Sequence, residues 1–399
     1  MTITTQEATK NDIYWASLQR LESWLIANDF KAFDPFDALL SPLRLLTFRT
    51  QFLQRVLLQV VRRNPFNLRP LIGIRPHTST KGMGFLGAGY ARLYRLTGDE
   101  AYHQSAKDCF DWLIEHRTQG HANFCWGNAF DYASRAFYLP RFAPTLVWSG
   151  FIGHHFIEAY RALGEPRYLE IAESVGQFII NDIPRIRSKK GFCFSYIPQE
   201  MVAVHNANLL GARLLAELWK ETGRDTYLEL ASDAIRYSVA AQLENGAWYY
   251  GEEQKYHWID NWHTAYNLDS ILQFQRSTGS TEFEQQMLKG MAFYRNHFFR
   301  SDGAARYYWD RDYKIDIQCC SQAIDTLLSF GVFLDNDDYL ATAKRVADWT
   351  LRNMQDPSGY FYLWKNSFFT NRTPTFHWGA ATMFYALSHL LTESHCYEN

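Results

Sequence analysis

The sequence predicts an all-α protein in which six helical hairpins close into an (α/α)6 toroid. Three observations support this fold class: five copies of one helical pattern, a short aromatic stretch after each copy, and an apolar helix after each stretch. One helix pair cannot bury its apolar face alone and does so when neighbouring pairs stack. The five copies, together with helices ahead of the first, supply the six pairs that a closed ring needs.

Two predicted helices precede the repeats. Residues 12–28 and 43–63 have amphipathic patterns, and the stretch KAFDPFDALLSP between them predicts a loop. Residues 1–42 are expected to form a helix and loop packed on the toroid, and residues 43–399 to form a single toroid domain. Within that domain, residues 43–63 are the predicted sixth outer helix.

The five copies share one frame of aromatic residues. A first aromatic residue is followed four residues later by Ala or Met and ten residues later by a second aromatic residue, so all three lie near one helical face. In the first four copies a glycine stands four residues before the frame and predicts the C-terminal cap of the preceding helix. The frames begin at Tyr102, Tyr168, Tyr227, Phe283 and Tyr339.

The inner helices are predicted to begin near residues 82, 145, 203, 262, 317 and 377. The aromatic stretches ahead of the last five, such as NFCWGNAFDY and GAWYYGEE, are predicted to form short β-hairpin loops. Because each joins the C-terminus of an outer helix to the N-terminus of an inner helix, all of them emerge at one end of the ring. That end is the predicted mouth.

Composition narrows the classes of partner. The aromatic share of 17%, including 13 Trp, suits a large core or a cleft that stacks on sugar rings. With 40 basic and 42 acidic residues the net charge is −2, which gives no field of one sign for nucleic acid or an anionic membrane. No secretory signal and no uninterrupted apolar run long enough to span a bilayer are visible, so no membrane span is predicted. Six cysteines without CxxC spacing favour reduced thiols and a cytoplasmic location.

The stretch YHWIDNWHTAYNLDS, from Tyr256 to Ser270, is the predicted centre of the site because a buried core rarely needs so many polar groups. Asp260 is a candidate general acid or base beside His257 and His263, or the N-cap of the following helix. His263 and Tyr266 are candidates for proton transfer. The two histidines and Asp260 lack a fourth metal ligand, so neither a metal nor a cofactor is predicted.

Further candidates lie where other inner helices begin. His205 is a candidate catalyst or a hydrogen-bonded core histidine. Asp131 is a candidate catalyst or the ion-pair partner of Arg135, and Asp316 is a candidate catalyst or a helix cap. Substrate contacts are predicted for His257, Trp258, Asn261, Trp262, Asn206, Asn208, Glu252, Arg135, Trp148, Trp309, Arg372, His377 and Trp378.

The five-copy frame, the aromatic loops and the twelve-helix count resemble the six-hairpin glycosidase superfamily of α/α toroids. This superfamily includes unsaturated glucuronyl hydrolases, N-acylglucosamine 2-epimerases and toroidal polysaccharide lyases. The resemblance covers about residues 43–392 and is closest to bacterial members associated with polysaccharide genes. It implies an oligo- or polysaccharide substrate.

Three functions remain open at this point. Glycoside hydrolysis by a carboxylate pair is favoured, with Asp260 and one of Asp131, Asp316 or Glu252, because the mouth segments hold more acids than arginines. The first alternative is a polysaccharide lyase or C5-epimerase that abstracts a proton next to a uronate carboxyl with His or Tyr. The second is a non-catalytic glycan-binding or polysaccharide-assembly protein.

Overall fold

The structure is a computed structural model that describes residues 3–134 and 137–396, with side chains described between residues 11 and 393. Helices dominate it, and short strands occur in the connections. The helices are α1 (Ile3–Ala27), α2 (Gln51–Arg63), α3 (Thr80–Thr97), α4 (Glu100–Glu115), α5 (Leu146–Leu163), α6 (Pro166–Asp182), α7 (His205–Thr222), α8 (Asp225–Val239), α9 (Asn261–Thr278), α10 (Glu284–His297), α11 (Ile317–Phe333), α12 (Asp337–Met354) and α13 (Thr382–Cys396), the last preceded by a π-helical turn (Phe376–Ala381).

Six helices form the inner ring, which confirms the predicted toroid. Helices α3, α5, α7, α9, α11 and α13 pack against one another in that order, and α13 returns to pack on α3. Each is buried over most of its surface, because it contacts two inner neighbours and an outer helix. The core therefore lies between the two rings of helices.

The predicted glycine caps are present at the ends of the inner helices. Gly98 ends α3 with φ at 70°, a left-handed conformation that costs glycine little, and its N–H donates to the carbonyl of Tyr94. Gly164 ends α5 in the same way at φ 72°. After α11, where no glycine is available, Asp335 adopts the left-handed conformation at φ 49°.

The sixth outer helix is α1, so its prediction at residues 43–63 is wrong. Helix α1 packs on α13, and its Tyr14 hydroxyl donates to Asp348 of α12 at 2.9 Å. Leu18, Leu21 and Leu25 form an uninterrupted buried stripe at helical spacing. Helix α2 buries only Leu58 and Val61, and it lies over the mouth instead of packing in the ring.

Short antiparallel hairpins, which were predicted for all five connections from outer to inner helices, occur in three of them. They are β1 (Tyr132–Ala133) with β2 (Tyr138–Leu139), β3 (Arg185–Ser188) with β4 (Gly191–Phe194), and the sheet of β5 (Ile315–Asp316), β6 (Trp364–Lys365) and β7 (Thr370–Asn371). Isolated backbone bridges also join successive loops, from Val204 to Gly251 and from Asp260 to Tyr308. These bridges hold the mouth loops in register around the ring.

One helix among the described residues is long and apolar enough to cross a membrane by length and composition. It is α11, an inner helix, and 72% of the window Ile317–Leu334 is buried inside the toroid. Core helices of globular proteins have the same composition because they are surrounded by other helices.

Candidate active site

A cavity of about 910 Å³ opens where the inner helices begin. Its walls come from the first turns of the inner helices, the mouth loops and α2. The N-termini of several helices therefore point at one space, and their exposed N–H groups favour oxygen-rich or anionic ligands there.

Asp260 and His263 form a hydrogen-bonded pair in the cavity wall. Asp260 caps α9, with its Oδ1 accepting the His263 backbone N–H at 3.0 Å. Its Oδ2 lies 2.7 Å from His263 Nδ1 and accepts the Trp258 indole N–H at 2.9 Å. The carboxylate is 2% exposed, so its charge is directed at the imidazole rather than at water. Asp260 thus combines the cap and the polar role that the sequence left open.

This pairing sets the tautomer of His263. Because the carboxylate accepts at Nδ1, that nitrogen carries the proton and Nε2 keeps its lone pair. Nε2 accepts the Trp262 indole N–H at 3.0 Å and belongs to a ring that lines the cavity. A histidine oriented by a buried carboxylate is the usual arrangement of a general base.

Tyr266 lies one turn further along α9 and also lines the cavity. Its hydroxyl accepts a hydrogen bond from Gln318 Nε2 at 2.9 Å, which leaves the hydroxyl proton free to donate. Burial raises the pKa of Tyr266, and the neighbouring Asp269 and Asp260 raise it further. The phenol therefore stays protonated and can act as a proton donor.

A second histidine and carboxylate meet in the same cavity. His377, in the π-helical turn, lies with Nδ1 3.9 Å from Asp34 Oδ2, which is ion-pair distance and too long for a hydrogen bond. It is 1% exposed, and neither ring nitrogen has a hydrogen-bond partner among the described residues. Burial, with the charge of Lys81, lowers the pKa of His377 to about 4. The ring is neutral and can still accept a proton or bind a hydroxyl.

Lys81 places an amine in an aromatic part of the cavity. It stands in the first turn of α3 and is 4% exposed. Its Nζ lies 4.3 Å from the centroid of the Phe151 ring and 5.2 Å from that of Trp148. Among the described residues it makes no hydrogen bond or ion pair, and burial lowers its pKa to about 7, against the opposing effect of Asp34.

Helix α2, which lies over the mouth, adds positive charge to the cavity wall. The Arg62 guanidinium lies 4.4 Å from the Phe36 ring and donates to the Tyr307 hydroxyl at 3.3 Å. Of the charged residues that line the cavity, five are basic (Arg55, Arg62, Arg63, Lys81 and Arg311) and two are acidic (Asp34 and Asp260). The cavity therefore favours an anionic ligand.

Three candidate catalysts do not line the cavity. Asp131 accepts the Arg141 backbone N–H at 2.8 Å and holds its hairpin. Asp316 caps α11 and accepts the Trp378 indole N–H at 3.0 Å, so it lies behind that ring. His205 contacts Ser238 Oγ at 3.2 Å and Glu252 at 3.5 Å, and burial lowers its pKa to about 4.

The candidate substrate contacts divide in the same way. Asn206, Trp148, Trp258, Trp262, His377 and Trp378 line the cavity. Six others do not line the cavity and contact neighbouring residues instead. His257 stacks on Tyr249, Trp309 packs on Phe293, and the Arg372 guanidinium lies over Tyr362. Asn208 forms hydrogen bonds with Phe194 and Ala234, Asn261 accepts a hydrogen bond from Tyr294, and Glu252 lies near His205. Arg135 lies outside the described residues.

Among the cavity residues that the sequence analysis did not single out are Asp34, Arg62 and Lys81. The signal that would have found the first two is connectivity. If α1 is the outer helix, the segment between α1 and α3 joins an outer to an inner helix and must lie at the mouth. Lys81 stands at the start of an inner helix, like the predicted candidates. Within the part of the chain that the structure describes, no group of three His, Cys, Asp or Glu is arranged to hold a metal ion.

Comparison with known proteins identifies the fold. No protein-family model and no curated sequence matches the chain. A cellobiose 2-epimerase from Bacillus thermoamylovorans has a TM-score of 0.64 at 13% identity, covering 81% of this chain and 90% of that chain. An alpha-mannanase from Bacteroides thetaiotaomicron has a TM-score of 0.63 at 14% identity, covering 80% and 88%. An unsaturated glucuronyl hydrolase specific for heparin has a TM-score of 0.59 at 16% identity, covering 83% and 90%.

These similarities define the class of protein at the level of its fold. The chain has the (α/α)6 toroid fold of these structures, so the fold inferred from the five-copy frame is confirmed. At these identities the shared fold does not transfer an activity. Function has to be argued from the cavity.

Proposed function

We propose that the protein is a carbohydrate-processing enzyme that transfers a proton at a carbon next to a carboxyl or carbonyl group of an acidic saccharide, as an epimerase or a lyase does. The observation that carries this proposal is the Asp260–His263 pair in the cavity wall, with Oδ2 2.7 Å from Nδ1. Three surrounding tryptophans, Trp258, Trp262 and Trp378, provide flat apolar surfaces suited to sugar rings. The similar folds of an epimerase, a mannanase and a glucuronyl hydrolase are compatible with a saccharide substrate.

The proposed proton transfer uses groups that already face the cavity. When the substrate displaces the Trp262 indole N–H, His263 Nε2 takes the proton from the sugar carbon, and the Asp260 carboxylate stabilises the imidazolium that forms. The electron pair moves onto the adjacent carboxyl or carbonyl oxygen. The positive charges of Lys81 and Arg62 stabilise the negative charge that develops there. Tyr266, whose hydroxyl proton is free, or His263 itself then returns a proton to the carbon or to the leaving oxygen.

This chemistry suits the cavity better than hydrolysis by a carboxylate pair. Such hydrolysis needs two carboxyl groups free to flank the glycosidic bond. The two carboxylates in the cavity wall each lie beside a histidine, and the partners proposed for Asp260 lie elsewhere. Hydrolysis was favoured because the mouth segments hold more acids than arginines. The cavity wall itself holds more basic than acidic groups, so that reason no longer applies.

The proposal is tested by incubating the protein in deuterium oxide with a panel of acidic and neutral oligosaccharides. An epimerase leaves solvent deuterium on the sugar, measured by mass spectrometry, and a lyase gives an unsaturated product that absorbs ultraviolet light. Either result supports the proposal if His263→Gln abolishes it and His116→Gln, a substitution on an exposed outer histidine, does not. New reducing ends without deuterium or unsaturation would establish hydrolysis, and binding without turnover would establish a glycan-binding protein.

A further inference from the structure

Helix α2 buries Leu58 and Val61 against Ala38, but much of its remaining apolar surface is exposed. Arg55, Gln59 and Arg62, at spacings of four and three residues, share a face that lines the cavity. Leu53 lies away from this face and is exposed, and Val60, which borders the cavity, is also exposed. A surface helix of a globular protein normally buries its apolar stripe and exposes its polar face. The outer face of α2 consequently lacks an apolar partner among the described residues.

This face belongs to a larger exposed apolar surface, which we call the rim. Its core is residues 43–71, where ten of the twenty exposed large apolar side chains of the described residues lie: Leu43, Leu45, Leu46, Phe48, Phe52, Leu53, Val56, Val60, Phe66 and Leu71. Leu45 is 75% exposed, Phe48 79% and Leu71 83%. Contiguous exposed apolar surface of this kind usually marks an interaction site.

Two hairpins extend the rim on either side of α2. Gln51 Nε2 donates to the Ser134 carbonyl at 3.2 Å, which holds the β1–β2 hairpin beside the start of α2. Asn371 Nδ2 donates to the Asn64 carbonyl at 2.7 Å, which holds the β6–β7 hairpin beside its end. These hairpins add the exposed side chains of Tyr138, Phe142, Phe368 and Phe369.

The rim is positively charged. No Asp or Glu occurs between residues 38 and 98, whereas residues 43–75 contain Arg44, Arg49, Arg55, Arg62, Arg63, Arg69 and Arg75. Arg69 is buried against Asp37, and Arg55 and Arg62 are half-buried in the cavity wall, so four arginines (44, 49, 63 and 75) remain exposed at the rim. Of these, Arg44 has a carboxylate partner, Asp131 at 3.6 Å, and the other three have no ion pair within the described residues.

We propose that the rim docks on an anionic lipid bilayer. Apolar side chains beside a row of arginines match the acyl boundary and the phosphates of lipid headgroups, and the two attractions add. A second copy of the chain would bring the same positive surface against itself, which like charges oppose. Because Arg55, Val56 and Arg63 belong both to the rim and to the cavity wall, docking places the opening of the cavity at the membrane surface.

The experiment is sedimentation of the full-length protein with lipid vesicles. Vesicles of phosphatidylcholine mixed with phosphatidylglycerol should bind the protein, and pure phosphatidylcholine vesicles should bind it several-fold less. Raising the salt concentration should weaken binding, because exposed charges are screened. Two double variants, Leu46→Ser with Leu71→Ser and Arg49→Gln with Arg75→Gln, should each reduce binding several-fold.

The controls separate docking from misfolding and from self-association. Met201→Ser removes a side chain that is 71% exposed outside the rim, and Arg352→Gln removes an exposed arginine on α12; neither should change binding. Thermal melting of every variant should match that of the wild type, since the replaced side chains are exposed. Absence of binding to the anionic vesicles, or equal binding by the rim variants, overturns the proposal. A dimer in solution that the leucine variant converts to monomer would assign the rim to a second copy instead.

Discussion

Asp260 has two roles that one substitution can separate. Asparagine caps a helix about as well as aspartate does, so Asp260→Asn should keep the cap and lose only the acceptor of the Trp258 indole N–H, which its amide nitrogen cannot replace. The amide has no charge with which to stabilise a protonated His263, so kcat should fall by about 10²–10⁴, the usual range for general acid or base catalysis. Steady-state kinetics and thermal melting measure the two effects.

Asp260→Ala is the matched control, because it removes both roles. We expect it to be less stable than Asp260→Asn by about 1 kcal/mol, the typical loss for a helix cap. Full turnover in Asp260→Asn would remove Asp260 from the chemistry and leave it as a cap.

Lys81 predicts a pH dependence of ligand binding. Burial lowers the pKa of its amine to about 7, so the group is charged below that pH and becomes neutral as the pH rises through it. The affinity for an acidic monosaccharide should therefore fall as the pH rises through about 7 in the wild type. Lys81→Met should bind weakly at low pH and show little of this dependence.

A neutral monosaccharide of the same ring structure serves as the control ligand, because it gains nothing from the charge. Calorimetry or a fluorescence titration of the cavity tryptophans measures the affinities. An identical pH profile in the wild type and in Lys81→Met would show that Lys81 does not contact the ligand.

For single residues, contacts between neighbours in the sequence could be predicted and long-range contacts could not. Asp260, His263 and Tyr266 could be predicted to meet because a cap residue and the following turn are close in sequence. The approach of Asp34 to His377 depends on ring closure, which joins the first loop to the last inner helix. No local pattern contains that information.

The elements were predictable wherever the apolar period was regular. The inner helices begin close to the expected residues, and the glycine caps after α3, α5, α7 and α9 fix their ends. The sixth outer helix was predicted to be α2 and is α1, and this error has a physical reason. Both segments are amphipathic, but the apolar face of α1 packs in the ring, whereas much of that of α2 is exposed at the rim. Amphipathicity shows that a helix has an apolar face without showing what covers that face.

The second halves of the inner helices enclose a smaller cavity of about 130 Å³ lined by opposite charges. Asp269 of α9 lies in its wall, where its Oδ2 accepts from Gln322 at 2.7 Å and from Thr326 at 2.9 Å. Its Oδ1 is buried without a hydrogen-bond partner among the described residues. Burial, together with the nearby Asp325, raises the pKa of Asp269 to about 7.

This shift predicts how stability changes with pH. The folded protein holds the Asp269 proton more tightly than the unfolded chain, so its contribution to stability is complete below the ordinary aspartate pKa and is lost as the pH rises through about 7. Between about pH 5 and about pH 8, the wild type should therefore lose stability relative to Asp269→Asn, by on the order of 1–3 kcal/mol. Urea unfolding at the two pH values measures this difference. Asp12→Asn, on the exposed surface, is the control, and a wild-type profile parallel to that of Asp269→Asn would contradict the argument.

For the whole molecule, net charge concealed how the charges are distributed. A net charge of −2 gave no reason to expect an anionic partner, yet one segment without carboxylates places its arginines over the mouth. Composition averages over the surface, and the fold decides which charges are neighbours. The fold likewise decides where each tryptophan lies. Trp148 and Trp258 line the cavity, whereas Trp126 and Trp248 are buried beneath the mouth loops.

Ring closure is the property of the whole molecule that a single residue can test. Leu21 of α1 is fully buried where the first helix meets the last hairpin, so Leu21→Ala should cost about 2–5 kcal/mol. If α1 completes the ring, this loss should lower the urea midpoint of the entire chain, followed by both helical circular dichroism and tryptophan fluorescence. Ile13→Ala, at a position on α1 that is 55% exposed, should change it little. Had residues 1–42 instead been packed on a toroid already complete without them, the variant would show an early partial transition, followed by a main transition at the wild-type midpoint.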